Sequence, residues 1–239
     1  MTSKTLLILA NSFKHRERCI AGRELVSTGG KYTFGPWVRP VSNRGHGELD
    51  YLEISRSDGS QIKVLDFAIV GLQKHAADAL QPENWLIEGQ RPWRRPNIYY
   101  KPPPLTALEE HPENLWLETV ERTDQISHER LLKAPPGFSI CVIRPEKLEL
   151  SCWTEYRREE ERHVKKYRAK FAYHGVNYCF SLTDPMATEK YCNPVPEVNE
   201  APRTIPLQSA DGPLICVSLT PLFKGFHYKI VATILGMPP

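Results

Sequence analysis

The sequence predicts a mainly β chain built as two small β-barrel modules with a few short helices. Three observations predict it. A phrase occurs twice: Trp37-Val38-Arg39-Pro40 leads after seven residues to Glu48-Leu49, and Val142-Ile143-Arg144-Pro145 leads after three to Glu149-Leu150. Each copy is an apolar run ending in Arg-Pro near the start of one half. Most apolar segments are short and are bounded by glycine, proline, asparagine or aspartate, the punctuation of strands. The chain has 239 residues, 41% hydrophobic and 25% charged, so each half is long enough for its own core.

Taken in order, Leu6–Leu9 is suited to an inner first strand and Arg18–Leu25 to a second, with a turn at Gly29-Gly30. Tyr32–Arg39 mixes aromatic and β-branched residues and is expected to stop at Pro40. SNRGHG, residues 42–47, reads as loop; Leu49–Ile54 and Ile62–Val70 read as a hairpin. Leu72, Ala76, Ala79 and Leu80 recur at helical spacing before Pro82. Pro82-Glu83-Asn84-Trp85-Leu86 is echoed by Pro112-Glu113-Asn114-Leu115-Trp116-Leu117, and both read as packing or capping segments. Between them, RPWRRPNIYYKPPPL is stiff and extended. In the second half Phe138–Ile143 and Leu148–Trp153 open as strands, and Glu155–Lys170 starts as a charged, solvated helix over 155–164. Arg168–Leu182 is a hairpin around His174-Gly175, 193–213 a proline-rich loop, and Leu214–Leu219 and Tyr228–Leu235 the last strands. The expected divisions are 1–100 for the first module, 101–136 for a connecting and packing segment, and 137–239 for the second. Five strands per module make OB-like barrels the leading architecture, with SH3-like and PUA-like barrels open beside it.

Leu6–Ala10 is too short to span a membrane and ends in basic residues rather than a cleavage site, so a cytoplasmic location and no membrane partner are expected. Cys19, Cys141, Cys152, Cys179, Cys192 and Cys216 form no CxxC pair and no zinc spacing, and read as buried free thiols. No dinucleotide, Walker, HExxH or GxSxG signature is present, so neither a cofactor nor a catalytic set is expected. One enzyme reading stays open: His46, Glu48 and Asp50, joined by Asp66 or Asp184, as a metal-dependent hydrolase of a phosphate-containing substrate.

Net charge is +3, unevenly spread: residues 1–50 hold eight Lys/Arg against four Asp/Glu, and 151–180 seven against four. Lys14, Arg16 and Arg18 fall between the first two strands, followed by Arg23, Arg39 and Arg44. Mixed with Phe13, Tyr32, Phe34 and Trp37, they suit a groove in which charge tracks phosphates and rings stack on bases. Lys166, Arg168 and Lys170 alternate along a strand and should share one face, with Lys229 added from a neighbouring segment. The interface expected from sequence is therefore Lys14, Arg16, Arg18, Arg23, Trp37, Arg39, Arg44, Lys166, Arg168, Lys170 and Lys229. A structural reading competes at two positions: Arg39 and Arg144 end buried strands and call for carboxylate partners, with Glu48 and Glu149 as candidates. An apolar patch around PPPL, Trp93 and Tyr99-Tyr100 would instead mark a protein–protein adaptor.

LLILANSFKHRERCIAGREL, WVRPVS with GELD, PENWL, RAKFAYHGVNYCFSLTDP and ICVSLTPLFKGFHYKIVATIL together resemble the bacterial dual OB-domain proteins associated with anti-phage and other conflict systems. The resemblance implies two OB-like barrels and a role in sensing or binding nucleic acid. Taken with the basic, aromatic-rich groove, the leading expectation is a non-catalytic binder with single strands favoured, and a protein partner of a defence system is the alternative. By the same resemblance Asn11, Lys14, Arg18, Cys19, Gly22, Trp37, Arg39 and Pro40 belong to the first module's motif. Lys170, Tyr178, Thr183, Asp184, Tyr228 and Lys229 belong to the second's.

Overall fold

Strand-forming segments dominate, and the fold is mainly β with few short helices. The computed structural model describes residues 2–14, 17–28, 31–44, 47–76, 79–89, 91–97, 104–116, 123–209 and 212–236, with Lys14, Thr28 and Lys31 described by backbone alone. Gly29-Gly30, Arg16, His46, Tyr99, Tyr100 and the first two prolines of PPPL lie outside the described residues. The chain forms two compact units, one of residues 1–104 with 132–140 and one of residues 105–131 with 141–239.

The first unit contains β1 (Thr2–Lys14), β2 (Glu17–Thr28), β3 (Lys31–Val41), β4 (Phe67–His75) and β5 (Asn84–Ile87), closed into a barrel in the order β1-β2-β3-β5-β4. Neighbours pair antiparallel except β3 and β5, which run parallel from Arg39↔Asn84 to Val41↔Leu86. Five strands in this arrangement make an OB-like barrel. Its core joins Leu6, Ile8, Ile20, Val38, Val70 and Trp93, among others. At Gly22 strand β2 lies tight against β1. A Cβ there would stand 2.2 Å from the Leu7 carbonyl oxygen, so no larger residue fits without moving backbone.

The second unit contains β6 (Gln125–Ser127), α1 (His128–Lys133, whose last residues pass into the first unit), β7 (Ile140–Ile143), β8 (Lys147–Arg157), β9 (Arg162–Tyr173), β10 (Val176–Leu182), α2 (Pro185–Cys192), β11 (Arg203–Leu207), β12 (Leu214–Leu219) and β13 (Phe226–Leu235). The sheet runs β11-β8-β9-β10-β13-β12-β7, with β6 paired to β13. Leu148, Leu150 and Cys152 on β8, Ala169 and Phe171 on β9, and Tyr178 and Phe180 on β10 fill its interior. Asp184 caps α2, accepting from the backbone N–H of Met186 at 2.9 Å and of Ala187 at 3.1 Å. Its other oxygen accepts from Ile234 N at 2.9 Å, which ties α2 to β13.

Several expectations need correction. Leu72 lies in strand β4, not a helix: Ala68, Val70 and Leu72 are buried in alternation. A four-residue spacing fits the strand period as well as the helical one, and the neighbouring barrel strands decide between them. Residues 49–70 form no regular hairpin. One bridge joins Ser55 to Gln61, and Asp50 and Glu53 turn on themselves by exchanging side-chain-to-backbone hydrogen bonds at 2.8 and 2.9 Å, taking donors a ladder would need. β3 runs one residue past Pro40, to Val41, where residues 39–41 pair with parallel β5 beyond the last β2 partner of Val38. Residues 84–87 form β5 and close the barrel rather than capping it. Residues 155–164 are no helix: β8 and β9 meet across a single 3-10 turn at Arg158–Glu160, and their ladder extends out to Arg157↔Arg162.

Candidate nucleic-acid interface

At the end of the β1–β2 hairpin, Phe13 and Arg18 are direct cross-strand partners. The Arg18 guanidinium carbon lies 3.7 Å from the centre of the Phe13 ring, and Phe13 is 47% exposed. Arg18 also donates to Asn11 Oδ1 at 3.2 Å, and Asn11 donates to the Ile62 carbonyl at 3.0 Å. The cation is thereby held over an exposed ring. Partial burial pulls its pKa below the ordinary value, and an arginine remains charged all the same. Lys14 ends β1 beside this pair.

Along the β2–β3 ladder the next aromatic–cation pair is Arg23 opposite Trp37. Arg23 Nε donates to the Gly35 carbonyl at 2.6 Å, and its guanidinium lies 5.9 Å from the Trp37 ring centre. Tyr32 is exposed further along β3. The strand 2–3 face and the loop joining strands 1 and 2 are the surfaces on which OB barrels take up oligonucleotides and oligosaccharides.

Two other arginines of the first unit sit differently. Arg44 is hydrogen-bonded to Glu53 at 2.6 Å and lies 3.1 Å from Asp50 and 3.8 Å from Glu17. The Glu53 hydrogen bond is the main reason its pKa is raised. Arg39 is only 9% exposed, and pairs with Glu83 at 2.8 Å and Ser139 Oγ at 3.1 Å. Glu83 comes from the PENW segment that becomes β5, so the carboxylate at this distance lies outside the repeated phrase. Arg144 likewise meets Glu109 at 3.0 Å and the Gly212 carbonyl at 3.0 Å, while Glu149 stands opposite Lys170.

On β9, Lys166, Arg168 and Lys170 share the face opposite the buried Ala169 and Phe171. Each has a carboxylate nearby: Glu155 at 3.1 Å, Asp124 at 3.3 Å and Glu149 at 4.0 Å. Lys229 is 1% exposed inside the sheet, so its ammonium presents nothing to a ligand outside. The alternation of β13 that buries His227, Lys229 and Val231 is the cause. Neither Lys229 nor Arg39 belongs to the surface.

The described members of the candidate catalytic set are each buried or committed elsewhere. His46 lies outside the described residues, Glu48 is buried, Asp50 is engaged with Arg44, Asp66 pairs with Arg56 at 2.6 Å, and Asp184 is the cap of α2. Among the described residues no group of three or more His, Cys, Asp and Glu could hold a metal. The six cysteines are free thiols. No described helix is long and apolar enough to cross a membrane. Trp93 is core rather than exposed patch.

A family model described as "Dual OB-containing domain" matches residues 4–234. The chain belongs to that family. No curated protein matches this dual-OB chain. Among solved structures, it is similar to a chain of one described as "Structure and Conformational Change of a Replication Protein A Heterotrimer Bound to ssDNA". The identity is 10% and the TM-score 0.34, over 98% of this chain and 48% of that one. The dual-OB chain thus spans about half the length of that relative.

Sequence reasoning passed over Asp124, Ser151, Trp153 and Thr204, which surround Arg168 and Lys170. A signal existed for two of them. Once Leu148, Leu150 and Cys152 are taken as one face of β8, Ser151 and Trp153 must share the other with Glu149.

Proposed function

We propose that this dual-OB chain binds single-stranded nucleic acid without catalysis, through the end of the β1–β2 hairpin and the β2–β3 face of its first barrel. The observation that carries the reading is the Arg18–Phe13 pair, a guanidinium 3.7 Å from a half-exposed ring. A base can stack on the ring while the cation meets the phosphates, and the charge of Lys14 and Arg16 in the same stretch of sequence adds to the attraction. Arg23 beside Trp37 repeats the arrangement along the ladder. Each stacked base adds about 1–3 kcal/mol irrespective of sequence, so the reading favours strands with unpaired bases over duplex. The bacterial-defence setting rests on the family resemblance, and loss of phage protection on deletion tests it.

Fluorescence anisotropy with labelled single-stranded DNA, single-stranded RNA and duplex, at low and near-physiological salt, tests the binding. The proposal expects single strands to bind more tightly than duplex, with affinity falling as salt rises. No binding to any probe at low salt overturns it. A protein partner would then be sought at the adjacent exposed pairs Tyr51-Leu52 and Leu222-Phe223.

A further inference from the structure

We propose that the second unit carries a separate pocket for a single nucleotide, on the outer face of its sheet. Alternation on β8 and β9 turns Leu150, Cys152, Ala169 and Phe171 inward, leaving Ser151, Trp153, Arg168 and Lys170 on the other side. The ladders bring these four together, since Ser151 pairs with Arg168, and Thr204 of β11 pairs with Ser151. Thr123 and Asp124 form one wall. Thr123 Oγ1 accepts from Cys179 N at 3.3 Å, and the Asp124 carbonyl accepts from Lys229 N at 2.9 Å, fixing this short segment against β10 and β13. The result is a cavity of about 390 Å³, inside the range of roughly 300–1,000 Å³ typical of small-molecule sites.

The lining matches the three parts of a nucleoside phosphate. Trp153 lines the cavity and supplies an indole for the base. Arg168 and Lys170 offer two cations for the phosphate. Lys170 is 55% exposed on its side chain and its Glu149 partner stands at the 4.0 Å limit of an ion pair, so the ammonium can turn to an incoming anion. Arg168 spends one N–H on Asp124 at 3.3 Å and, with five donors in its fork, has others to give. Asp124 is an acceptor for ribose hydroxyls or a base amino group, beside the hydroxyls of Ser151 and Thr204. A simple anion would not need the indole, and a neutral sugar would not need two adjacent cations. Lys166 is held by Glu155 further along the strand and is not among the residues lining the cavity.

The pocket shares no residue with the first-barrel interface, so the two readings fail separately. The test is isothermal titration calorimetry of the full chain with AMP, GMP, CMP and UMP, alongside adenosine, ribose 5-phosphate, inorganic phosphate and a thymidine decamer. The proposal expects at least one monophosphate to bind with one-to-one stoichiometry. Its affinity should drop about tenfold or more in Lys170→Gln and in Trp153→Leu and stay unchanged in Phe13→Ala. Thermal melting of Lys170→Gln, a change at an exposed side chain, should match the wild type and exclude misfolding as the cause. Equal affinity for adenosine, or for inorganic phosphate, overturns the proposal, because base and phosphate would not both be read. Loss of decamer binding in Lys170→Gln with no monophosphate binding overturns it too, since the site would then belong to a strand-binding track.

Discussion

Replacing Arg39 with methionine removes the guanidinium from a closed polar cluster and leaves its partners in place. Glu83 is buried, with its Oε1 2.8 Å from Arg39, and the same oxygen accepts from the hydroxyl of Ser139, which is fully buried. The backbone adds a 2.8 Å hydrogen bond from Arg39 N to the Glu83 carbonyl, which the substitution keeps. What is lost is the countercharge of a buried carboxylate, at a cost of about 3–5 kcal/mol. For a chain of this size that lowers the melting temperature by roughly 6–20 °C. Urea denaturation and scanning calorimetry read the change. Pairing the substitution with Glu83→Gln removes the stranded charge and should restore about 1 kcal/mol or more of coupling energy. If Arg39→Met unfolds within about 1 kcal/mol of the wild type while oligonucleotide binding collapses, the structural reading is refuted and Arg39 is a ligand contact.

Asp184→Ala removes the acceptor of three backbone N–H groups, two in α2 and one in β13, and should cost about 2–4 kcal/mol in chemical denaturation. Asp184 also gives a pH signature. Burial raises its carboxyl pKa, against the pull of its three backbone donors. The folded state therefore keeps this proton to higher pH than the unfolded chain, whose aspartates titrate near about 3.9. The stability this group contributes must fall as pH rises from there through its folded value. Measured against Asp184→Asn, the wild type should lose relative stability over that window and be flat above it; a rise would contradict the assignment. Gly22→Ala places a methyl 2.2 Å from the Leu7 carbonyl oxygen, and should destabilise the first barrel by about 3 kcal/mol, read by thermal melting, with unchanged stability showing that β1 and β2 are not so close.

The inner strands were legible for two reasons: Leu6–Leu9 is an unbroken apolar run buried throughout, and burial imposes a period of two on Ala169, Phe171 and Tyr173 in the second sheet. Where two periods coincide, as at Leu72 and Ala76, pattern alone could not choose the strand, because the deciding contacts come from β1 and β5. Residues 155–164 misled in another way. Three consecutive glutamates and flanking cations satisfy helical pairing rules, yet the ladder from Leu148↔Phe171 out to Arg157↔Arg162 holds the flanks extended and leaves the glutamates in the turn between them. The cationic positions of the site were readable as residue types, but their surroundings were not. Nothing local in the sequence places Glu83 on Arg39 or Asp124 on Arg168, since each pair is more than forty residues apart and depends on which strands become neighbours. Burial of Lys229 was hidden for the same reason.

Photo-crosslinking tests the central claim most directly. The wild-type chain is irradiated with a single-stranded oligonucleotide carrying 5-iodouracil, and the adducts are mapped by mass spectrometry. The account predicts that crosslinks concentrate on peptides containing Phe13, Tyr32 and Trp37, and fall when Arg18→Gln weakens the complex. Adducts confined to peptides outside β1, β2 and β3, or none at saturating oligonucleotide, would contradict it.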